Sequence, residues 1–276
     1  MTTQPRMISV VSLESAIAEI PEIFNLFTTE GVLILRGHSF SSSDHAELTS
    51  KFAEYCSYAV GATYEGGHSD DPNKVYSTST NEYSLHWHIE KAYYVHPMYA
   101  GVWNMHHFTG TPGVGQTLFI NSSNYYYSLP QDTKEFLDGC TVKWDKGVES
   151  KPDGAGPFYT RAVEISPVNG RKTLRLEVDP GCILMPELFY FMGESPSKND
   201  KLKFDQFYTD LCYDLYDNTD IRITQTWQEG DLLFVDLFSM YHAVLSGHEF
   251  GQRKFTGVTL RGEGFNDDFY TSLGLL

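Results

Sequence analysis

The segment from Ser84 to Tyr93 carries the residue types of a metal site. It reads Ser-Leu-His-Trp-His-Ile-Glu-Lys-Ala-Tyr. In an extended chain every second side chain points to the same face, so His86, His88 and Glu90 would converge on one point. Neutral imidazole and carboxylate suit Fe(II) or Mn(II), and a face of two histidines and one carboxylate leaves coordination positions open. The pattern also fits a polar strand face whose histidines are hydrogen-bonded to their neighbours.

A second segment offers a further histidine and an arginine. His242 and Arg253 flank the turn sequence Ser-Gly-His-Glu-Phe-Gly at 246–251. The turn predicts a hairpin in which residue 244 pairs with 253 and residue 255 with 242, so that His242 and Arg253 share one face. A metal ligand and a guanidinium so arranged could hold two ends of one small dicarboxylate, because arginine binds a carboxylate with two hydrogen bonds. Taken singly, each residue also fits a structural role, as a surface ion pair or a core histidine.

Together the two segments resemble the iron(II)/2-oxoglutarate-dependent dioxygenases of the taurine dioxygenase and clavaminate synthase-like superfamily. Trp-His-Ile-Glu at 87–90 is similar to the H-x-D/E motif of that superfamily, and His242 is similar to its distal histidine. The resemblance covers most of the chain. It implies an iron(II) ion held by His88, Glu90 and His242, with 2-oxoglutarate as cosubstrate and O₂ as oxidant.

The resemblance extends to the 2-oxoglutarate site. Gly-Gln-Thr at 115–117 occupies the place of a G-x-T segment whose threonine contacts 2-oxoglutarate, which implies this role for Thr117. Arg253 matches the arginine that binds the distal carboxylate of 2-oxoglutarate. The implied reaction releases succinate and CO₂ while an unactivated C–H bond of the substrate is oxidised. Hydroxylation is the default, and desaturation or cyclisation would use the same ligands with a different substrate position.

Departures from the family pattern bear on the substrate. The H-x-E form with Glu90 is similar to the clavaminate synthase-like branch, whose members often oxidise amino acids or their derivatives, and this favours a small amino-acid-derived substrate. Taurine dioxygenase has a second arginine, four residues beyond the first, that binds the sulfonate; here that position is Gly257. Asp-Leu-Phe at 236–238 stands where many relatives read Asp-Asn-Arg. Three residues are candidate substrate contacts: Ser84, His86 and Gly257.

Three other functions fit parts of the same pattern. A cupin-like oxygenase or isomerase would use His86, His88, Glu90 and His242 as four ligands and would need no 2-oxoglutarate. A protein hydroxylase would share the chemistry but act on a peptide in an extended groove. A binding module without catalysis would keep the histidines as structural residues.

The elements that would position these residues are mostly short strands. Apolar or alternating runs bounded by Gly, Pro, Asn and Asp predict strands at 31–37, 73–78, 83–90, 99–107, 116–121, 140–145, 157–165, 172–178, 221–227, 231–236, 239–245 and 253–261. Helical spacing predicts helices at 13–28, from 41–44 to about 58, and at 201–216.

This pattern predicts a mainly β fold with peripheral helices around a double-stranded β-helix, or jelly-roll, core. We expect one dioxygenase domain over 1–276, with an N-terminal flank at 1–58 and the jelly-roll core at 73–261. The stretches 60–72, 147–156 and 192–200 are expected loops.

Composition excludes several classes of protein. Of the 276 residues, 41% are hydrophobic and 14% aromatic, so the chain has ample material for a core and is not disordered. The net charge of −16 argues against general nucleic-acid binding. Four cysteines without a C-x-x-C pair argue against a thiolate zinc site or a disulfide scaffold and favour the cytoplasm. The expected partner is therefore a small molecule rather than a nucleic acid or a membrane, and the oligomeric state is left open.

Overall fold

The computed structural model describes residues 4–59, 61–65, 83–90, 92, 97–111, 113–144, 158–178, 186–247 and 252–262. The predicted strand at 73–78 and the predicted loop at 147–156 lie outside these ranges. The strands are β1 Arg6–Ser9, β2 Val32–Arg36, β3 Gly61–Glu65, β4 Tyr83–Ile89, β5 Met98–Phe108, β6 Thr117–Asn121, β7 Cys140–Trp144, β8 Phe158–Arg161, β9 Val163–Ile165, β10 Lys172–Leu174, β11 Pro186–Phe191, β12 Ile223–Gln225, β13 Leu232–Asp236, β14 Met240–Leu245 and β15 Arg253–Arg261.

The helices begin and end at recognisable sequence signals. They are α1 Leu13–Ala18, α2 Ile20–Glu30, α3 Ser42–Ala53, α4 Ser122–Ser128, α5 Gln131–Asp138 and α6 Lys198–Asp217, with a 3₁₀ turn at Thr219–Ile221. Ser41 and Ser197 cap α3 and α6 with reciprocal side-chain hydrogen bonds. The predicted helix at 13–28 is two helices, because Pro21 lies in the first turn of α2, where its missing N–H costs no hydrogen bond. Gly31 ends α2 in a left-handed conformation with φ 82°.

Two larger sheets carry the residues of interest. A six-stranded sheet has the order β1–β2–β13–β5–β15–β3, and a four-stranded sheet has the order β12–β6–β14–β4. Neighbouring strands in both sheets are antiparallel, apart from the parallel pair of β1 and β2. Two smaller sheets have the orders β11–β7–β8 and β10–β9.

The buried apolar side chains form three clusters, which we name by position. The inner cluster joins the two larger sheets: it includes Met105 and Leu233 from the six-stranded sheet and Phe119 and Met240 from the four-stranded sheet. One outer cluster packs α1, α2 and α3 on the six-stranded sheet. The other packs α4, α5 and α6 on the four-stranded sheet. Helices therefore cover the outer faces, and the inner faces meet in a shared apolar layer.

The predicted hairpin between the strands of His242 and Arg253 is wrong. Strand β14 pairs with β4 and β6, whereas β15 pairs with β5 and β3. Both edges of each strand are already occupied by these partners, so β14 and β15 belong to different sheets and do not form a two-stranded ribbon with each other. Helices α4 and α5 and strands β1, β3 and β11 were not predicted, and β3 occupies part of the expected loop at 60–72. No helix among the described residues is long and apolar enough to cross a membrane.

Candidate metal centre

Neighbouring strands of the four-stranded sheet bring two histidines together. His88 of β4 is the register partner of His242 of β14. On β4, Trp87 and Ile89 are fully buried in the outer cluster beneath α6. On β14, Tyr241 is buried in the same cluster. Because side chains alternate along a strand, burial of these apolar residues on the outer face directs both histidines to the inner face.

Glu90 completes a group of three possible metal ligands. Its Oε2 lies 3.9 Å from Nε2 of His88 and 3.7 Å from Nε2 of His242. The two imidazole rings are 4.0 Å apart between centroids, and one ligand atom from each of the three residues lies within 4.8 Å of the others. Donors that each bind one metal ion at about 2 Å lie at most about 4 Å from one another. These three side chains could therefore bind one ion after small movements.

Backbone contacts prepare both imidazoles as ligands. Nδ1 of His88 lies 2.8 Å from the carbonyl oxygen of His86, and Nδ1 of His242 lies 3.4 Å from that of Met240. A carbonyl can only accept, so Nδ1 carries the proton and Nε2 keeps its lone pair on the side of Glu90. Burial, and then the neighbouring His88, lower the pKa of His242 well below its ordinary value. A neutral imidazole at this position is the form that binds a metal.

Arg253 and Thr117 flank a second part of the site. Arg253 begins β15, and its Nε is buried with no hydrogen-bond partner among the described residues. Burial lowers the pKa of Arg253 to about 10, so the guanidinium remains charged at neutral pH. Thr117 of β6 is almost fully buried and is the register partner of Val244 on β14. A buried cation without a counter-charge is costly, and a bound carboxylate would offset that cost. These residues could therefore bind a ligand that carries a carboxylate.

The three candidate substrate contacts are not members of the group of three ligands. Nδ1 of His86 lies 2.7 Å from the hydroxyl of Tyr216 on α6, and the pairing of β4 with β14 is irregular just there. His86 is therefore outside the set of ligand atoms that converge. Ser84 lies in β4, and its side chain is outside the described part of the chain. Gly257 of β15 is the register partner of Trp103 on β5.

The aromatic side chains around the site were not predicted from the sequence. Rings of Trp103 and Phe119 lie 5.5 and 6.2 Å from the ring of His242, and Trp103 lies 6.3 Å from Phe255. Trp227 donates its indole N–H to Thr117 Oγ1 at 2.9 Å. Trp103 could have been placed on the inner face, because side chains two positions apart on a strand share a face and Met105 is buried there. Trp227 could not, because no local signal connects it to Thr117, which is 110 positions away. His106 bonds Thr256 at 2.7 Å beside His45 of α3 and so lies on the outer face.

The departure at 236–238 also has a structural counterpart. Arg175 is fully buried, donates from Nη1 to the carbonyl of Phe238 at 2.8 Å and lies 4.1 Å above the Phe238 ring. Burial raises the pKa of Asp236 to about 7, and the backbone N–H groups of Phe238 and Ser239 together with Arg175 oppose that shift. Asp236 Oδ1 accepts hydrogen bonds from both N–H groups, at 3.0 and 3.1 Å. In this chain the guanidinium at the turn therefore comes from Arg175, which is remote in sequence, and residue 238 is Phe.

Comparisons with known proteins agree on one family and one fold. Residues 6–259 match the family described as "Taurine catabolism dioxygenase TauD, TfdA family". A search of curated protein sequences returned no match. Among solved structures, an alpha-ketoglutarate-dependent taurine dioxygenase from Burkholderia xenovorans has a TM-score of 0.66 at 16% identity, over 96% of this chain and 88% of its own.

Two further solved structures share the fold at similarly low identity. AAD-2 in complex with Mn(II) and N-oxalylglycine has a TM-score of 0.64 at 15% identity, over 95% of each chain. An alpha-ketoglutarate-dependent 2,4-D dioxygenase from Burkholderia xenovorans has a TM-score of 0.62 at 16% identity, over 92% of each chain. At these identities the likeness concerns the fold alone.

Proposed function

Because the chain belongs to the TauD, TfdA family and is a non-haem iron(II)/2-oxoglutarate dioxygenase, we propose that it oxidises an unactivated C–H bond of a small, amino-acid-derived metabolite. Hydroxylation is the proposed reaction, with desaturation or cyclisation as variants of the same chemistry. The cofactors are Fe(II), 2-oxoglutarate and O₂. One observation carries the assignment to this chain's residues: Glu90 Oε2 lies within 4 Å of Nε2 on both His88 and His242.

Each residue of the site has a proposed task. His88, Glu90 and His242 hold the iron, which when bound supplies the oxidising chemistry together with O₂ and 2-oxoglutarate. Arg253 binds the distal carboxylate of 2-oxoglutarate through its guanidinium, and Thr117 donates its hydroxyl hydrogen to the cosubstrate. The aromatic rings of Trp103 and Phe119 beside His242 exclude water from the metal and limit how the substrate lies there.

The surroundings of Gly257 support a substrate other than a sulfonate. A Cβ at position 257 would lie 3.1 Å from Cδ1 of Trp103, a tight contact, so a side chain there would have to move the indole by a few tenths of an ångström. Ser84 and His86 remain proposed substrate contacts. The imidazole of His86 is bonded to the hydroxyl of Tyr216. That link leaves His86 outside the convergent ligand set, so the four-ligand, cupin-like alternative has no support among the described residues.

Three further inferences concern the fold, the domain organisation and the cellular setting. We infer that the two larger sheets form a double-stranded β-helix core, because antiparallel strands from both meet in the inner cluster. We also infer a single dioxygenase domain over 1–276 and a cytoplasmic setting. The setting is supported by the free thiols of Cys56, Cys140 and Cys212, two of them buried.

Anaerobic reconstitution tests the assignment of the site. Fe(II) and then 2-oxoglutarate are added to wild type, Arg253→Ala and Arg261→Ala, and the weak visible charge-transfer band of an iron-chelated 2-oxo acid is followed. Arg261 is the matched control, since it is an exposed arginine of the same strand. We expect Arg253→Ala to need roughly 10- to 100-fold more 2-oxoglutarate, the range for a lost hydrogen bond to a charged group. Arg261→Ala should match wild type.

Two results would count against the proposal. A band unchanged in Arg253→Ala would remove Arg253 from the cosubstrate site, and failure of the wild type to bind Fe(II) would remove the metal centre. With the band established, succinate release in the presence of amino acids and their derivatives tests the substrate class. Faster release with taurine than with any amino acid tested would contradict it.

A further inference from the structure

Trp227 touches both residues assigned to 2-oxoglutarate. It lies in the turn between β12 and β13 and is almost fully buried. Its indole N–H bonds Thr117, and its ring lies 5.7 Å from the guanidinium carbon of Arg253. We propose that Trp227 is a positioning residue that sets the orientation of Thr117 and Arg253 for the cosubstrate. This inference rests on the proposed roles of Thr117 and Arg253.

The contact with Thr117 fixes the direction of a hydroxyl group. Thr117 Oγ1 accepts the indole N–H at 2.9 Å, so one lone pair of the oxygen is used and the O–H must donate elsewhere. Within the described part of the chain, the hydrogen bond seen at this oxygen is the one from Trp227, so a bound carboxylate could accept the hydroxyl hydrogen. A buried hydroxyl hydrogen without an acceptor is costly. The indole therefore holds Thr117 as a donor, which is the polarity that a carboxylate needs.

The contact with Arg253 restricts a long side chain. The guanidinium carbon lies 5.0 Å from the Phe255 ring and 5.7 Å from the Trp227 ring. Cation–π attraction is strongest when the cation is desolvated, and the Nε of Arg253 is buried. Two aromatic contacts thus restrict the guanidinium, and its Nε, which has no hydrogen-bond partner among the described residues, is available to a carboxylate.

The turn that carries Trp227 is held by the buried carboxylate of Asp231. Asp231 Oδ2 accepts the backbone N–H of Gln228 at 2.8 Å and the side-chain amide of Gln225 at 3.0 Å. Arg36 of β2 binds both oxygens of Asp231 at 2.7 Å. These bonds join the turn on either side of Trp227 to the six-stranded sheet, so the indole has a fixed support.

A matched pair of tryptophan variants tests the inference. Trp144 donates its indole N–H to Thr160 Oγ1 at 2.8 Å and is fully buried in the outer cluster beneath α6, so Trp144→Phe loses the same kind of bond elsewhere. The 2-oxoglutarate affinity is measured by the anaerobic charge-transfer band, and unfolding in urea is measured without metal. We expect Trp227→Phe to weaken 2-oxoglutarate binding roughly three- to tenfold, the scale of one hydrogen bond. Trp144→Phe should leave the affinity unchanged even where it lowers stability equally.

A second comparison isolates the bond to Thr117. In a Thr117→Val background the acceptor is gone, so Trp227→Phe should weaken 2-oxoglutarate binding less than it does in wild type. An equal effect in both backgrounds, or an affinity unchanged in Trp227→Phe, would overturn the inference. Arg253→Ala is included because an unchanged band in that variant would instead show that the proposed cosubstrate site is wrong.

Discussion

The Trp103 indole lies across Gly257, its register partner on the neighbouring strand. A Cβ at 257 would lie 3.1 Å from Cδ1 of Trp103, and a Cβ at Gly101 would lie 2.9 Å from its Nε1. Two glycines therefore make room for one indole, whose ring is 5.5 Å from that of His242. At this strand the wall of the site is therefore the aromatic surface of Trp103. Glycine at positions 101 and 257 leaves the space beside the ring free of other side chains.

Substituting Gly257 should therefore act through Trp103. In Gly257→Arg the new Cβ would lie 3.1 Å from the indole, which must shift to admit it, and overpacking of this kind costs about 1–3 kcal/mol in the free energy of unfolding. In a Trp103→Ala background the same substitution should cost clearly less, because the obstructing ring is gone. Urea unfolding of the four proteins in this cycle measures the coupling. Additive effects would show that Trp103 and Gly257 do not share this space.

Metal binding should stabilise the fold through His242. A ligand that binds only the folded state adds about 2.7 kcal/mol to the free energy of unfolding at 100 times its Kd. Mn(II) is a suitable probe because it accepts the same ligands as Fe(II) and resists oxidation by air. We expect Mn(II) to raise the melting temperature of wild type and of His107→Ala, whose histidine is exposed and paired with Glu229. His242→Ala should show no rise, and a rise as large as that of wild type would contradict the ligand assignment.

The three candidate ligands could be predicted because the information that places them is local. Trp87, Ile89 and Tyr241 alternate with His88, Glu90 and His242 along two strands, and burying the apolar set on the outer face turns the polar set inward. Spacing alone therefore indicated the face on which the group lies. The register that aligns His88 with His242 was not predicted. Alternation alone also placed His86 on this face, and only the family resemblance singled out His88, Glu90 and His242 as the ligands.

The remainder of the site depends on contacts between distant segments. The turn after β14 resembled a hairpin turn, but nothing within 246–251 reveals that both strands find partners elsewhere. Likewise, Arg175 reaches Phe238 across 63 positions and Trp227 reaches Thr117 across 110. Such pairs follow from the packing of the two larger sheets, which a single sequence does not display. Helix α4 was missed because Ser-Ser-Asn-Tyr-Tyr-Tyr-Ser has no helical hydrophobic period.

Stability should fall on acidification through His45. Burial lowers the pKa of His45 to about 4, from an ordinary value of 6.5, and burial also lowers the pKa of His106, its neighbour across Thr256. Between pH 6.5 and about pH 4, His45 binds a proton in the unfolded chain but not in the folded protein. The contribution of His45 to the free energy of unfolding is therefore complete above its pKa in the unfolded chain. It is lost as the pH falls towards its pKa in the folded protein. For His45 alone the loss is about 3 kcal/mol.

His45→Gln should flatten this pH dependence. Glutamine can still donate to the carbonyl of Val102, which His45 Nε2 contacts at 3.0 Å, but it does not titrate. The free energy of unfolding is measured in urea between pH 7.5 and 4.5 without metal for both proteins. We expect the wild type to lose more stability than the variant over this range. Parallel curves would show that His45 is not the titrating group.

Removing Arg36 should destabilise the fold and also weaken 2-oxoglutarate binding. Arg36 binds both oxygens of the fully buried Asp231, and loss of one partner leaves a buried charge at a cost of about 3–5 kcal/mol. Because Asp231 also holds the turn that carries Trp227, Arg36→Ala should raise the Kd for 2-oxoglutarate. Lys51→Ala, which breaks an exposed pair with Glu54, should change the stability little, because solvent screens such a pair, and should leave the Kd unchanged.

The conservative variant separates charge from geometry in the pair of Arg36 and Asp231. Arg36→Lys keeps the positive charge but cannot form the two parallel hydrogen bonds of a guanidinium. It should therefore recover part of the stability lost in Arg36→Ala and less of the cosubstrate affinity, since the affinity depends on how the turn is oriented. Urea unfolding and anaerobic titration of the charge-transfer band give the two values for each variant. Full recovery of the affinity by lysine would mean that charge alone, and not the paired geometry, holds Trp227 beneath Thr117 and Arg253.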